Sequence, residues 1–323
     1  ADLFLYRMKE KGYSAWTNPF NGVKSYVSYN KTRFIVFWSK NPKSLLDYIG
    51  ILEQKKIGCY VQYSLNDYEN DNLELNVPAL SERIETFKAL SNRLGKSGVI
   101  WRFDPLILTD KISINDLLKK VENIGNQIHE YTDKLVFSFA DITSYKKVKA
   151  NLEKSSINYH DWQEDEMIKF TEALSKMNKD HGWNLHLATC GEKVSLEQFG
   201  VEHNHCVDDR LIVKRAWSDA TLMKFLGAEV HEINEMQKML YGAEAIPLGA
   251  IELDDNHYAV ISKNNRDSGQ RTLCGCMVSK DIGQYNTCIH RCEYCYANDN
   301  KVIAQRNYEE HTLNPIAVSI TGK

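Results

Sequence analysis

The sequence predicts an α/β fold: a TIM-like (β/α) barrel, whole or incomplete, followed by a C-terminal cysteine-rich segment. Three observations predict it. Apolar runs of strand length alternate with amphipathic helical stretches, the order of parallel strands buried on both faces. No G-x-G-x-x-G follows an early strand, which weakens a dinucleotide-binding doubly wound sheet. Five of the eight cysteines crowd between residues 272 and 298.

The elements follow in order. Residues 1–13 read as a helix stopped at Gly12, 32–42 as a buried strand ending at Pro42, and 58–66 as another strand. Residues 81–95 read as a helix with Ser81 as N-cap and Gly95 as stop. Residues 98–108 are a strand broken at Pro105. Leu117, Val121, Ile124 and Ile128 recur at spacings of four, three and four, one face of a helix over 113–128. Residues 134–142 are a strand. Residues 161–182 are a helix with an Asp161/Glu164 capping box and a Met167, Phe170, Leu174, Met177 stripe. A strand over 184–192, a short capped helix over 195–200 and a strand end near 203–209 complete the alternation. Residues 217–265 read as a helix pair and a hairpin turning near Asp255–Asn256. The expected organisation is an α/β barrel core over 1–216, an inserted helix/hairpin subdomain over 217–265 and the cysteine-rich segment over 266–323.

Length and composition bound the function. A chain of 323 residues, 43% hydrophobic and 26% charged, buries a full core without disulfide staples. The net charge of −3 comes without blocks of like charge, so a broad nucleic-acid footprint is not indicated. There is no apolar run of 18 residues and no visible signal peptide, so the expectation is a cytoplasmic protein with no membrane span. In a reducing compartment, clustered thiols are metal ligands or catalytic groups.

In an α/β barrel the chemistry sits at the C-terminal ends of the strands. The expected ends are polar: Lys40 and Asn41, Gln62, Ser64 and Asn66, Arg102 and Asp104, Ser138 and Asp141, Cys190 and Glu192, then Cys206, Asp208 and Asp209. Alternation along a strand puts Arg102 with Asp104, and His186, Ala188, Cys190 and Glu192, on shared faces. Lys40, Arg102, Asp104 and Glu192 are the candidates for gripping a substrate or cofactor. Asn41, Ser138 and Asp141 are candidate cofactor contacts. Arg102 with Asp104 also reads as a plain structural ion pair, Lys40 as a surface lysine, His186 as a hydrogen-bonded core histidine and Cys59 as a small buried hydrophobe.

The cysteines divide into two sets. Cys288, Cys292 and Cys295 form C-x3-C-x2-C, a spacing that can wrap a four-iron cluster and leave one iron without a protein ligand. A zinc site completed by His290 is the competing reading, although zinc sites favour paired C-x2-C. Cys274 and Cys276, two apart, point the same way in extended chain. Cys190 and Cys206, at the ends of neighbouring expected strands, complete a four-thiolate set for a second [4Fe–4S] cluster or a zinc ion.

The C-x3-C-x2-C loop resembles that of the radical S-adenosylmethionine superfamily, in which an aromatic residue precedes the third cysteine near the adenine; here it is Tyr294. Nearly the whole chain resembles the domain-of-unknown-function 1848 family. The carrying stretches are "NPFN", "FIVFWSKNP", "NVPALSERIETFKALSNRLG", "VIWRFDPLIL", "VFSFADIT", "ATCGE", "CVDDRLI" and "QRTLCGCMVSKDIGQYNTCIHRCEYCYAN". The resemblance implies an additional strand rich in Ser, Arg, Thr and Asp ahead of residue 1. It also implies a radical enzyme with a [4Fe–4S] cluster, S-adenosylmethionine, an unknown substrate and an electron donor such as a flavodoxin or ferredoxin. The alternatives are a non-catalytic iron–sulfur or zinc module in redox sensing or partner recognition, and a metal-dependent hydrolase using Asp104, Asp141 and Asp208. Superfamily members carry this loop near the N-terminus. Here only 28 residues follow Cys295, so the tail must fold back over the strand ends.

Overall fold

A computed structural model describes residues 6–18, 21–233, 246–298 and 300–322. Its centre is one six-stranded parallel sheet built from β1 (Phe34–Ser39), β2 (Gly58–Ser64), β3 (Val99–Leu106), β4 (Lys134–Phe139), β5 (His186–Thr189) and β6 (Val201–His203), which lie side by side in chain order. That order lacks the reversal of a doubly wound sheet. Among the described residues β1 and β6 do not pair, so the expected closed barrel is not formed.

Packing explains the open edge. Val61, Tyr63, Trp101, Phe103, Leu135, Phe137 and Leu187 point to one face and pack under the helices Leu80–Leu94, Ile114–Ile128 and Glu164–Asp180. Tyr60, Ile100, Val136 and Ala188 alternate to the other face. That face, which a barrel would fill from across its axis, is covered by Ile212, Val213, Leu222, Met223 and Leu226 of the helices Asp209–Ala216 and Ala220–Leu226. Ile251 and Ala259 of a three-stranded antiparallel sheet (Ala228–Glu232, Ile251–Asp254, His257–Ile261) and Met277 of the tail complete the cover. The hairpin turns at Asp255–Asn256 as expected, with Asp254 opposite His257. One helix of the expected pair is Ala220–Leu226; residues 234–245 lie outside the described residues.

Several local expectations change. The first strand is an edge strand with Trp38 exposed, not a buried one. Ser81 does not cap its helix; the chain enters through Ala79, and the Leu80 amide donates to Glu69 Oε2 at 2.8 Å. The capping box of the helix Glu164–Asp180 is Gln163 with Glu166. Asp161 instead accepts from the Ile142 amide at 2.7 Å and ties down the loop after β4. His186 is exposed at the start of β5 rather than buried in the core. Cys59 is buried as expected, and burial pushes its thiol up to about 11. No helix among the described residues is long and apolar enough to cross a membrane.

Candidate functional site at the strand ends

The tail folds back over the C-terminal ends of the sheet. Residues 73–76, in the loop after β2, run antiparallel to the cysteine loop: Glu74 bridges to Cys292, the Glu293 amide donates to Leu73 O at 3.0 Å, and the Asn76 amide donates to His290 O at 2.9 Å. Asn298 Nδ2 closes the loop's base by donating to Cys288 O at 2.7 Å. Cys292 is buried, Cys295 half-buried and Cys288 exposed, so the loop presents its thiols across a graded surface.

A buried carboxylate fastens this loop. Glu74 is 4% exposed, and its Oε1 accepts from Lys40 Nζ at 2.9 Å, from Asn66 Nδ2 at 3.3 Å and from the Tyr294 hydroxyl. Arg83 Nη1 stands 3.6 Å from Oε2. Burial pushes the Glu74 carboxyl up, but Lys40, Tyr294 and Arg83 outweigh it and hold the group below its ordinary value. Burial pulls Lys40 down, but Glu74 and Cys292 outweigh it and raise the ammonium. Lys40 also stands 5.2 Å from the Tyr294 ring centre. Lys40, read as gripping or surface, is therefore an internal ion-pair partner beside Cys292. Tyr294 turns its ring inward against Tyr68, with centroids 6.0 Å apart. The aromatic side chain left open beside the loop is Tyr296, with Tyr145 and Tyr285 each 6.3 Å from it.

Asn66 links this network to the strand ends. Its Oδ1 accepts from the Asp104 amide at 3.0 Å, and its Nδ2 contacts Asp104 O and the Tyr294 hydroxyl. Arg102 and Asp104 share a face as expected and are paired, Nε to Oδ2 at 3.1 Å. Ser138 donates its hydroxyl to Asp104 Oδ1. Glu192 accepts from the Phe139 amide at 3.1 Å. Burial is the main reason its carboxyl rises to about 7, and Asp104 and Asp141 push the same way. Asn41 and Asp141 serve their own turns, accepting from the Lys43 and Ser144 amides at 3.4 and 3.2 Å.

The second cysteine set also gathers at these ends. Cys190 and Cys206 sulfurs are 3.4 Å apart, and the Cys206 amide donates to Cys276 Sγ at 3.2 Å. Arg102 Nη1 and Asn204 Nδ2 donate to the Cys206 sulfur at 3.3 and 3.2 Å. The thiol hydrogen bonds from Cys190 and Cys276 and the Arg102 charge outweigh burial, so Cys206 is held far down while Cys190 and Cys276 are driven up. Cys274 is buried.

Neither cysteine set draws three sulfurs within 4.8 Å of one another; among the described residues only His205, Asp208 and Asp209 meet that test. A tetrahedral zinc spaces its sulfurs about 3.8 Å apart. His290 contacts Asn76 O through Nδ1 at 3.1 Å, and it forms no group of three donors within 4.8 Å with the loop cysteines. Among the described residues no fourth donor gathers with the three loop cysteines; three cysteines on one short loop are a donor set that a four-iron cluster could take, each sulfur on a different iron. Asp208 caps the helix Asp209–Ala216, and Asp209 accepts from Asn265 Nδ2 at 2.9 Å. Asp104, Asp141 and Asp208 do not gather as a hydrolase site would require.

A family model described as "Domain of unknown function (DUF1848)" matches residues 1–297. The chain belongs to this family. The DUF1848 match takes in all eight cysteines and both sets at the strand ends. No curated protein matches the chain. Glu74, Arg83, Asn204 and the tyrosines Tyr145, Tyr285 and Tyr296 are site residues that sequence reasoning missed. Glu74 lies in a loop with no motif around it. Arg83 sits among the buried positions Ile84 and Phe87 of the helix Leu80–Leu94, and only its place within an apolar stripe signals it.

Proposed function

We propose that the chain is a radical S-adenosylmethionine enzyme whose Cys288, Cys292 and Cys295 bind a [4Fe–4S] cluster. The observation that carries the reading is the C-x3-C-x2-C loop folded back over the C-terminal ends of a parallel sheet, where α/β enzymes keep their chemistry. Cys288, Cys292 and Cys295 would hold the cluster, which, reduced by an external one-electron donor, would supply the electron for reductive cleavage of S-adenosylmethionine to methionine and a hydrogen-abstracting 5′-deoxyadenosyl radical.

The protein's own groups then hold and shield. Glu74, Asn66 and Tyr294 fix the loop against the sheet. Lys40 places a positive charge beside Cys292 and offsets the charge of a thiolate-bound cluster. Tyr296, Tyr145 and Tyr285 offer flat faces beside Cys295 for a planar ring. Asp104, held by Arg102 and Ser138, and Glu192, whose carboxyl exchanges a proton near neutral pH, supply polar contacts for a substrate.

Anaerobic purification and reconstitution with iron and sulfide tests the reading. S-adenosylmethionine and dithionite should then yield 5′-deoxyadenosine, and Cys292→Ala should abolish it. A reconstituted protein with iron and sulfide bound at the loop but no cleavage would refute the catalytic reading. Cleavage that survives Cys292→Ala would refute the loop assignment.

A further inference from the structure

We propose that Cys190, Cys206, Cys274 and Cys276 hold a second, four-thiolate metal centre that staples the tail to the far edge of the sheet. It is independent of the loop cysteines and of the radical reading.

The four thiols come from three separate places. Cys190 directly follows β5, and Cys206 lies just beyond β6. These strands are parallel neighbours, with Val201 opposite Leu187 and His203 opposite Thr189, so their ends emerge side by side. Cys274 and Cys276 arrive from the tail, about seventy residues later. A backbone bond carries them in, Met277 N donating to Val207 O at 2.9 Å, and within the tail the Arg266 side chain donates from Nε to Cys274 O at 2.8 Å. The sulfurs of Cys190 and Cys206 touch at 3.4 Å, and Cys276 Sγ lies 3.2 Å from the Cys206 amide.

The surroundings fit an anionic thiolate centre. Arg102 is 2% exposed and Asn204 3% exposed, yet both spend donors on the Cys206 sulfur. Donors aimed at a ligating sulfur are the usual supporting shell of a thiolate metal site. Gly275, between the two tail cysteines, lets the C-G-C segment lie against His205: a Cβ there would stand 2.3 Å from the His205 ring and displace it. Buried cysteines with no ligand role have no need for a charged donor, a glycine turn and three chain segments converging.

No three of the four sulfurs lie within 4.8 Å of one another, so they are drawn up without closing to a zinc tetrahedron, and taking up a metal would shift them; a zinc ion and a [4Fe–4S] cluster both take four thiolates, and one experiment separates them. The full chain with Cys288, Cys292 and Cys295 all replaced by alanine loses the loop's ligands. Metal and sulfide per chain are then measured after anaerobic purification. About one zinc and no sulfide supports the centre as zinc; about four irons with sulfide supports it as a cluster. Adding Cys206→Ser to that variant should lower the bound metal at least tenfold and speed proteolytic cleavage within residues 262–273. Less than a tenth of a metal centre per chain, or a Cys190–Cys206 disulfide in its place, overturns the proposal. Alkylation of the native protein read residue by residue by mass spectrometry gives a second measurement if the variants fail to fold: Cys190, Cys206, Cys274 and Cys276 should become reactive together when a chelator removes the metal. Unchanged labelling of these four overturns it.

Discussion

Tyr294 of the tail donates its hydroxyl to Glu74, a buried carboxylate in the loop after β2. The two residues are 220 positions apart, and their bond holds a loop with three cysteines against the strand ends. A buried polar group that loses its partner costs more than the bond itself contributes.

Tyr294→Phe should therefore destabilise the chain by about 2 kcal/mol, the value of a buried hydrogen bond to a charged group. Urea unfolding of Tyr294→Phe, Glu74→Gln and the double variant measures it. The two losses should not add, because each removes the same bond. Full additivity would show that the bond does not couple the tail to the sheet.

The same carboxylate sets a pH dependence. Its folded value lies below the ordinary 4.5, so its contribution is complete above that value and is lost as pH falls through the lowered one. Lys40 is raised above the ordinary 10.5, so its contribution is complete below 10.5 and is lost as pH rises through the raised value. Stability from this pair should thus be flat between about 4.5 and 10.5 and fall outside that window. Glu74→Gln should flatten the acid limb in unfolding curves collected from pH 3 to 7. An unchanged acid limb would assign it to other carboxylates.

Arg291, between Cys288 and Cys292, has φ +54°, a left-handed conformation that costs a side-chain-bearing residue about 1 kcal/mol relative to glycine. Its side chain is exposed. Arg291→Gly should leave the loop in place and raise stability by about 0.5–1 kcal/mol. A drop in the unfolding midpoint would mean that the Arg291 side chain supports the loop.

Gly125 lies inside the helix Ile114–Ile128, where alanine ordinarily gains about 1 kcal/mol. Here the sign should reverse. An added Cβ would sit 2.3 Å from the Trp183 ring, and that indole is itself held by a hydrogen bond to Asn126 Oδ1 at 3.1 Å. Gly125→Ala should cost about 1–3 kcal/mol through overpacking. A stabilised variant would show that Trp183 moves aside freely.

Much of the fold is legible in the sequence because its signals are local. The stripe Leu117, Val121, Ile124, Ile128 marks its helix and is buried as one face. The apolar runs at 58–64 and 134–139 mark parallel strands covered on both sides. Capping was less legible. Ser81 and Asp161 have the right chemistry for caps, yet Glu69 takes over one role, and Asp161 is drawn to the Ile142 and Thr143 amides.

The candidate site was legible where residue chemistry is rare. Clustered thiols stand out in any chain; of the expected four, the Cys190 and Cys206 sulfurs are 3.4 Å apart and Cys276 Sγ meets the Cys206 amide. The Arg102–Asp104 pairing followed from alternation along one strand. Tyr294 and Lys40 show the limit. Both were placed near the chemistry, but their partner Glu74 has no local signature, so their burial against it was invisible.

The sequence by itself determined the alternation of strands and helices, the polar strand ends and the two cysteine sets, because each depends on residues close in the chain or rare in kind. Only the tertiary structure decided that, among the described residues, β1 and β6 do not pair, since the helices Asp209–Ala216 and Ala220–Leu226 and the strands Ile251–Asp254 and His257–Ile261 cover the face that a closed barrel would turn inward. It also decided how the tail docks. Glu74 with Tyr294, and Val207 with Met277, are pairings between distant segments, and their energy comes from burial and hydrogen bonding that no local pattern encodes.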